Sequence, residues 1–201
     1  MDKRKILTIA AAAILFAVSA NAQTYFNFGY GLGDDKTTFG SMETDVTNSN
    51  TLFAGVSHNF GVAGNFGIEP GVNYAFNFSK IGDEFGAKNQ YHGIQVPVLL
   101  NYAFLSSSDF ALKLFAGPAA NFGLSDKTTT YVGDTKGLVI DNYADDSYSR
   151  LGVSASFGFG AEWCNTIRLK IGYDLGLVDL NKSENVSYKQ NLLTFSLGYI
   201  F

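Results

Sequence analysis

Apolar and polar residues alternate along most of this chain, which predicts β-strands with two different faces. The pattern is clearest in segment 149–163, where an apolar row containing Leu151 and Phe157 opposes a row of Gly, Ser and Glu. Eight alternating segments are predicted, at 24–33, 50–60, 65–79, 90–104, 110–124, 149–163, 167–181 and 189–201. Outside the amino-terminal region, no segment shows a sustained helical period.

The connections between these segments differ in length. "GVAG", "SSSD" and "CNT" are tight turns, whereas "DDKTTFGSMETDVTNS" and "SDKTTTYVGDTKGLVIDNYADDSY" are long and polar. Short turns therefore lie at one end of an up-and-down meander and long loops at the other, as in outer-membrane barrels. The sequence predicts an all-β fold, an eight-stranded antiparallel up-and-down transmembrane β-barrel with short periplasmic turns and longer outer loops.

The two faces decide between a membrane barrel and a soluble one. A membrane barrel turns its apolar face to lipid, and aromatic residues do gather near the short-turn ends of the strands, as an interfacial girdle would. A Lys or Arg facing lipid at the midplane costs about 2–4 kcal/mol, so Lys113, Arg168 and Lys170 are expected to point inward. The alternative is a secreted lipocalin-like barrel, whose apolar face would surround a ligand cavity.

The amino-terminal residues predict export. Lys3, Arg4 and Lys5 precede the apolar run "ILTIAAAAILFAV", and Ala20 and Ala22 flank Asn21. This order is typical of a secretory signal peptide, and the run is too short for a transmembrane helix, which needs about 20 apolar residues. We therefore expect a signal peptide at 1–22 and a barrel domain at 23–201, located in the bacterial outer membrane.

Composition narrows the function classes. The net charge of −4 shows no excess of basic residues, so nucleic acid is not an expected partner. Cys164 is the only cysteine, which leaves no internal disulfide. Outer-membrane lipid is the expected surrounding, and no cofactor is expected.

Charged residues on the polar face form a candidate lumen charge network. Their parity directs them into the barrel, and most lie near the short-turn ends of their strands; they are Glu69, Lys113, Glu162, Arg168, Lys170 and Asp174. An eight-stranded barrel is just wide enough for its own side chains to fill, and buried charges must be paired. A salt-bridged plug is therefore favoured over a gate or a proton-active site.

Catalytic chemistry has little support in the sequence. His58 and His92 are predicted at opposite ends of their strands, which argues against a shared metal or proton site. No G-x-S-x-G motif is present. A membrane enzyme thus remains a weak alternative.

Two further features concern strand geometry. Pro70, Pro97 and Pro118 fall inside predicted strands, where bulges or nearer strand ends are expected because proline lacks the ladder N–H. The stretch "YVGDTKGLVIDNYADDSYSR" could extend the fifth and sixth strands as a hairpin above the membrane. Its exposed edge could pair with a protein partner or simply protect the barrel rim.

Several stretches resemble the PorT-like family of outer-membrane β-barrel domains. These are "IQVPVLLNYAF", "LKLFAGPAANFGL" and "LKIGYDLGLVDLN" followed by a last strand that ends on Phe201. The resemblance implies the same barrel fold, and the named member of that family serves a protein secretion system.

Together these features predict a non-enzymatic barrel with a filled lumen that acts as a structural or interaction protein through its outer loops. A role in a secretion or envelope assembly is one reading. A narrow solute channel is the alternative.

Overall fold

The structure is a computed structural model that describes residues 22–39, 42–81, 85–133, 135–144, 148–182 and 186–201. The predicted signal peptide lies outside the described residues, except for Ala22 at its end. Among the described residues, no helix is long and apolar enough to cross a membrane.

The described chain folds into antiparallel β-strands that follow the predicted order. Their bounds are β1 Ala22–Phe39, β2 Met42–Ala63, β3 Phe66–Ile81, β4 Phe85–Ser106, β5 Phe110–Val132, β6 Thr135–Asp141, β7 Leu151–Trp163, β8 Ile167–Gly176, β9 Val186–Lys189 and β10 Leu192–Ile200.

Eight of these strands close into a ring. The pairing order is β10-β8-β7-β5-β4-β3-β2-β1, and β10 also pairs with β1 over Tyr25 to Gly33. The other two strands lie outside the ring, since β6 pairs with β5 and β9 pairs with β1. The predicted eight-stranded up-and-down barrel is confirmed.

The apolar face of the ring points outward. Phe157 is 47% exposed while its neighbour Ser156 is 6% exposed, and this contrast repeats from strand to strand. The outward apolar row of β4 runs from Ile94 to Phe104. Ten residue steps give about 34 Å along the strand, and about 26 Å of height at a tilt of roughly 40°. That height matches the apolar band of an outer-membrane barrel, about 25 Å, and excludes the lipocalin-like alternative.

Aromatic rings mark the short-turn end of the band. Phe66 lies 4.7 Å from Tyr102, and Phe110 lies 4.7 Å from Trp163, between ring centroids. Cys164 is exposed in the turn between β7 and β8.

Several strands are longer than predicted at the outer end. β1 and β2 continue through the polar stretch assigned to a loop, with Asp35 paired to Val46 and Phe39 to Met42. The prediction was wrong here because alternation marks a strand only where one face meets lipid. Beyond the membrane both faces can be polar.

The end of the seventh predicted segment also differs. β8 ends at Gly176 rather than near position 181. The Asp179 carboxylate accepts the backbone N–H groups of Asn181 and Tyr188, both at 2.9 Å. Beyond Gly176 the described part of the chain keeps only scattered bonds to its neighbour, among them Leu177 N–H to the Val153 carbonyl at 2.9 Å and an isolated bridge between Tyr148 and Asn181.

An outer hairpin is present, with a different partner strand from the one predicted. β5 continues to Val132, and β6 returns beside it with Thr128 paired to Ile140. β6 is a strand of its own, because β7 begins only at Leu151.

The three prolines leave the strand register unchanged. Ser57 pairs with Gly71 and Phe60 with Ile68, so β2 and β3 keep one register across Pro70. The paired positions are interrupted between them, where proline has no N–H to donate. The expected bulges are therefore wrong for the prolines, and register shifts occur elsewhere, for example between His92 and Gly93.

Candidate functional site

A buried ion pair crosses the middle of the lumen. Arg168 Nη1 donates to Glu69 Oε2 at 2.8 Å, and each residue is at most 3% exposed. Arg168 lies on β8 and Glu69 on β3. These strands are four steps apart in either direction around the ring. The pair therefore joins diametrically opposite walls of the barrel.

Neutral side chains add further hydrogen bonds to this pair, although Arg168 Nε has no hydrogen-bond partner among the described residues. Ser57 Oγ donates to Glu69 Oε1 at 2.7 Å, and Asn101 Nδ2 donates to Glu69 Oε2 at 3.0 Å. Arg168 Nη2 donates to Asn27 Oδ1 at 2.7 Å. The two charges are thus held by groups from β1, β2 and β4 as well as from their own strands. Such pairing is what buried charges require.

Lys170 adds a second cation on the outer side of this pair. Its Nζ lies 3.7 Å from Glu69 Oε1 and 4.1 Å from the centroid of the Phe115 ring. The contact with Phe115 has the geometry of a cation–π interaction, which stabilises an ammonium group where little water reaches it.

A second ion pair lies nearer the short turns. Lys113 Nζ is 2.7 Å from Glu162 Oε2. Tyr25 connects it to the central pair: its hydroxyl donates to Glu162 Oε1 at 2.9 Å, and the Arg168 guanidinium lies 3.4 Å from its ring centroid. One continuous contact network therefore includes five of the six predicted residues.

Asp174 is the predicted residue that the structure holds apart. Its carboxylate accepts from Gln95 Nε2 at 3.0 Å and from the Ser156 hydroxyl. Within the described residues it makes no ion pair. It lies toward the outer end, four residues beyond Lys170 on β8.

Sequence reasoning missed two aromatic residues of the lumen. Tyr25 is 0% exposed and Phe115 is 7% exposed, and both lie on the inward face. Strand alternation could have identified them, because Tyr25 is on the same strand face as Asn27 and Gly29, and Phe115 is on the same face as Lys113. Aromatic residues were expected on the lipid side, so these two inward positions were not considered.

Two cavities flank the plugged zone. The outer one has a volume of about 140 Å³ and is lined by residues that include Glu69, Lys170 and Asp174. The inner one, about 230 Å³, is lined by Lys113 and Glu162 among others, near the short turns. The charge network separates them.

The two histidines are far apart on the outward face. His58 Nδ1 is 2.9 Å from Thr24 Oγ1 near the short turns, and His92 Nδ1 is 2.6 Å from the Tyr74 hydroxyl near the outer end. His92 pairs with Phe76, and Phe76 pairs with Leu52 of β2, so His92 lies at the level of Leu52. Leu52 is six residues from His58, which is roughly 20 Å along β2. Across the described residues, no group of three or more His, Cys, Asp or Glu side chains could hold a metal ion.

A closed ring of strands with an apolar outer face and a polar, ion-paired interior defines a transmembrane β-barrel protein. The sequence matches the family described as outer membrane protein beta-barrel domain over residues 20–182. The chain belongs to this family, and its location is the bacterial outer membrane.

Solved structures include several to which the chain is similar. Ail, the attachment invasion locus protein of Yersinia pestis, is 11% identical, with 90% of this chain and 99% of that chain covered and a TM-score of 0.46. Neisserial surface protein A is 12% identical, with 89% and 97% covered and a TM-score of 0.48. OprG from Pseudomonas aeruginosa is 14% identical, with 90% and 95% covered and a TM-score of 0.43. A comparison with the sequences of curated proteins found no match.

Proposed function

We propose that this protein is a non-enzymatic outer-membrane barrel whose lumen is closed by its own side chains and which acts through its outer loops. The observation that carries the closed lumen is the Glu69–Arg168 pair, which joins opposite walls at 2.8 Å. Breaking this pair would leave two unpaired charges in the buried interior, which costs several kcal/mol. The pair is therefore expected to stay formed under native conditions.

Five of the six charged residues predicted from sequence act, in this proposal, as a structural plug. Lys113 and Glu162 close the inner part, and Arg168, Glu69 and Lys170 close the centre. Asp174 lines the floor of the outer cavity and would bind water or small solutes rather than seal the lumen.

The outer hairpin of β5 and β6 supports an interaction role. Leu138 is 67% exposed and Val139 is 46% exposed, on a strand that pairs only with β5 among the described strands. An edge strand with exposed apolar side chains is a surface to which an extended segment of another protein can add. The PorT-like resemblance favours a partner in a secretion or envelope assembly.

The proposal includes the processing of the chain. Residues 1–22 act as a signal peptide that is removed, and residues 23–201 form the mature barrel domain. β1 begins at Ala22, the residue before the proposed cleavage site, and Gln23 pairs with Asn59.

Conductance in planar bilayers tests the closed lumen. The wild-type barrel is expected to show no steady conductance. Arg168→Ala removes the central pair and is expected to open a path between the two cavities, whereas Lys136→Ala on the outer hairpin serves as a control and should stay silent. Steady conductance of the wild type would overturn the plug.

Crosslinking in intact cells tests the interaction role. A photoreactive residue at Leu138 is expected to capture one discrete protein, and the same residue at the lumen position Ser156 is expected to capture none. Equal capture at both positions would contradict an interaction through the outer hairpin.

A narrow solute channel is the second candidate. The observation that favours it is the cavity on each side of the charge network. A channel requires the Glu69–Arg168 pair to open and close, so the wild type would show brief openings whose frequency depends on voltage. The plug predicts that such openings are absent.

A further inference from the structure

Lysine side chains converge on one sector of the barrel wall at its outer end. Lys80 on β3, Lys88 on β4 and Lys127 on β5 are all exposed and lie on the outward faces of three consecutive strands. We call these three residues the outer lysine patch.

The register holds the members of the patch close together. Lys80 pairs directly with Lys88, and Lys127 pairs with Gln90, the next outward residue of β4. Cβ atoms of direct partners lie about 4.5–5.5 Å apart, and diagonal neighbours about 7–8 Å. Like charges directly opposite each other are destabilising, so an anion bound between them would relieve repulsion.

The row below the patch is amphipathic. Phe76 pairs with His92, whose Nδ1 contacts the Tyr74 hydroxyl at 2.6 Å, and Phe78 pairs with Gln90. Farther out, Lys88 Nζ lies 4.6 Å from the ring centroid of Tyr131, which pairs with Gly86. Aromatic rings with polar tips are typical of the boundary between hydrocarbon and headgroups.

The height of the patch fits the headgroup layer. On β3 the outward apolar row ends at Phe78, which pairs with Gln90, so Lys127 lies level with this end. Lys80 and Lys88 lie two residue steps farther out, about 5 Å in height at a tilt of roughly 40°. Each headgroup layer of a bilayer is about 5–7 Å thick. Lysine side chains can bend several ångströms back toward it.

Among the described residues, two carboxylates lie near the patch, and both accept hydrogen bonds from other groups. Asp126 faces inward, where it accepts from Asn89 at 2.6 Å and from Asn142 at 3.0 Å. Asp141 pairs with Lys127 in the ladder, but its Oδ1 accepts the Tyr143 backbone N–H at 3.0 Å.

Lys80 has a further partner within the protein. Lys88 and Lys127 are therefore the cations that the patch turns toward the surrounding lipid.

We propose that the outer lysine patch binds the phosphate groups of an anionic lipid in the outer leaflet. The oxygens of one phosphate group would bridge Lys88 and Lys127, while the acyl chains lie along the apolar rows of β3, β4 and β5. A phosphate-bearing glycolipid fits this geometry because its charge lies at headgroup height and its chains meet Phe78 and Leu124, which are 37% and 47% exposed. The patch would anchor this sector and set the depth of the outer hairpin.

Native mass spectrometry of the detergent-solubilised full barrel, titrated with diphosphoryl lipid A, tests this proposal. The variant carrying Lys88→Gln and Lys127→Gln is expected to bind about thirtyfold more weakly, from roughly fivefold for each lysine near an anionic surface. The Lys88→Arg and Lys127→Arg variant is expected to keep most of the affinity. A heat-modifiable gel band checks that every variant folds.

Matched controls separate this site from general electrostatics. Lys36 and Lys189 are cross-strand partners on β1 and β9, and replacing both with Gln should leave binding within about twofold, a shift far below the roughly thirtyfold expected at the patch. Dephosphorylated lipid A should bind as weakly as the patch variant.

Three results would overturn the proposal. The first is equal loss of binding in the Lys36 and Lys189 control. The second is equal binding of phosphorylated and dephosphorylated lipid. The third is full competition by equimolar inorganic phosphate, which would assign the patch to a free anion.

Discussion

Replacing Glu69 with alanine is expected to lower the free energy of unfolding by about 3–5 kcal/mol, the range for removing one partner of a buried ion pair. The carboxylate accepts from Arg168 at 2.8 Å, Ser57 at 2.7 Å and Asn101 at 3.0 Å, and lies 3.7 Å from Lys170. Without it, Arg168 keeps Asn27 as its nearest acceptor.

The lower end of that range is the better estimate. The outer cavity reaches Glu69 and Lys170, so water can enter the space left by the carboxylate and solvate the remaining cations in part. Glu69→Gln, which keeps the volume and one acceptor oxygen, should cost less than Glu69→Ala.

A double-mutant cycle isolates the pair. Arg168→Ala alone leaves Glu69 with Lys170 at 3.7 Å, and the double variant removes both central charges. The double variant is expected to be less destabilised than the sum of the two single variants, by at least about 1 kcal/mol.

Urea unfolding from lipid vesicles provides the assay. Trp163 is the only tryptophan and is 50% exposed on the outward face, so its fluorescence reports on insertion. Additive single-variant effects, or a loss below about 1 kcal/mol for Glu69→Ala, would refute the reasoning, because a desolvated pair must couple strongly.

Two further predictions concern packing and the outer loop. Gly158→Ala should cost about 1–3 kcal/mol, the range for overpacking, because a Cβ there would collide with the Ile171 carbonyl oxygen; Gly61→Ala is the control, since nothing lies within 4 Å of its Cβ. Urea midpoints that fall equally for both variants would contradict this. Burial alone would raise the pKa of Asp179, but hydrogen bonds, first of all the one from the Tyr188 backbone N–H, hold that pKa below its ordinary value. Because the pKa is lower in the folded protein, ionised Asp179 stabilises the folded loop at pH values above the ordinary aspartate pKa, about 3.9. This stabilisation is lost as the pH falls through the pKa of the folded state. The Tyr188 amide shift in an NMR titration should therefore move with a midpoint below about 3.9, and Asp179→Asn should abolish the transition; a midpoint at or above that value would count against the loop geometry.

The inward direction of the charges could be read from sequence because strand side chains alternate strictly. Arg168, Lys170 and Glu69 share the polar parity of their strands, and the structure brings them into contact. The ring itself followed from the same alternation and from the order of short and long connections.

The specific pairing could not be read in this way. Alternation gives the face of a residue but neither its height nor the stagger between distant strands, and these decide that Arg168 meets Glu69 while Asp174 meets Gln95. Tyr25 was missed because an aromatic side chain on a membrane strand was assumed to face lipid.

The extensions of the strands at the outer end could not be predicted from the sequence for a different reason. The sequence between 34 and 49 is mostly polar and shows no sustained alternation, yet the described backbone there pairs, for example Lys36 with Asp45. Backbone hydrogen bonds carry no side-chain signature once neither face is apolar.

The most direct test of the barrel's orientation uses spin labels at two adjacent residues of β7. With Cys164 replaced by Ser, cysteines are introduced one at a time at Phe157, which is 47% exposed, and at Ser156, which is 6% exposed. In lipid vesicles the label at Phe157 should be relaxed by oxygen dissolved in the hydrocarbon and shielded from a water-soluble nickel complex, while the label at Ser156 should show little access to lipid oxygen. The reverse pattern, with Ser156 in lipid and Phe157 in a packed interior, would contradict a barrel that turns its apolar face outward and fills its lumen with ion pairs.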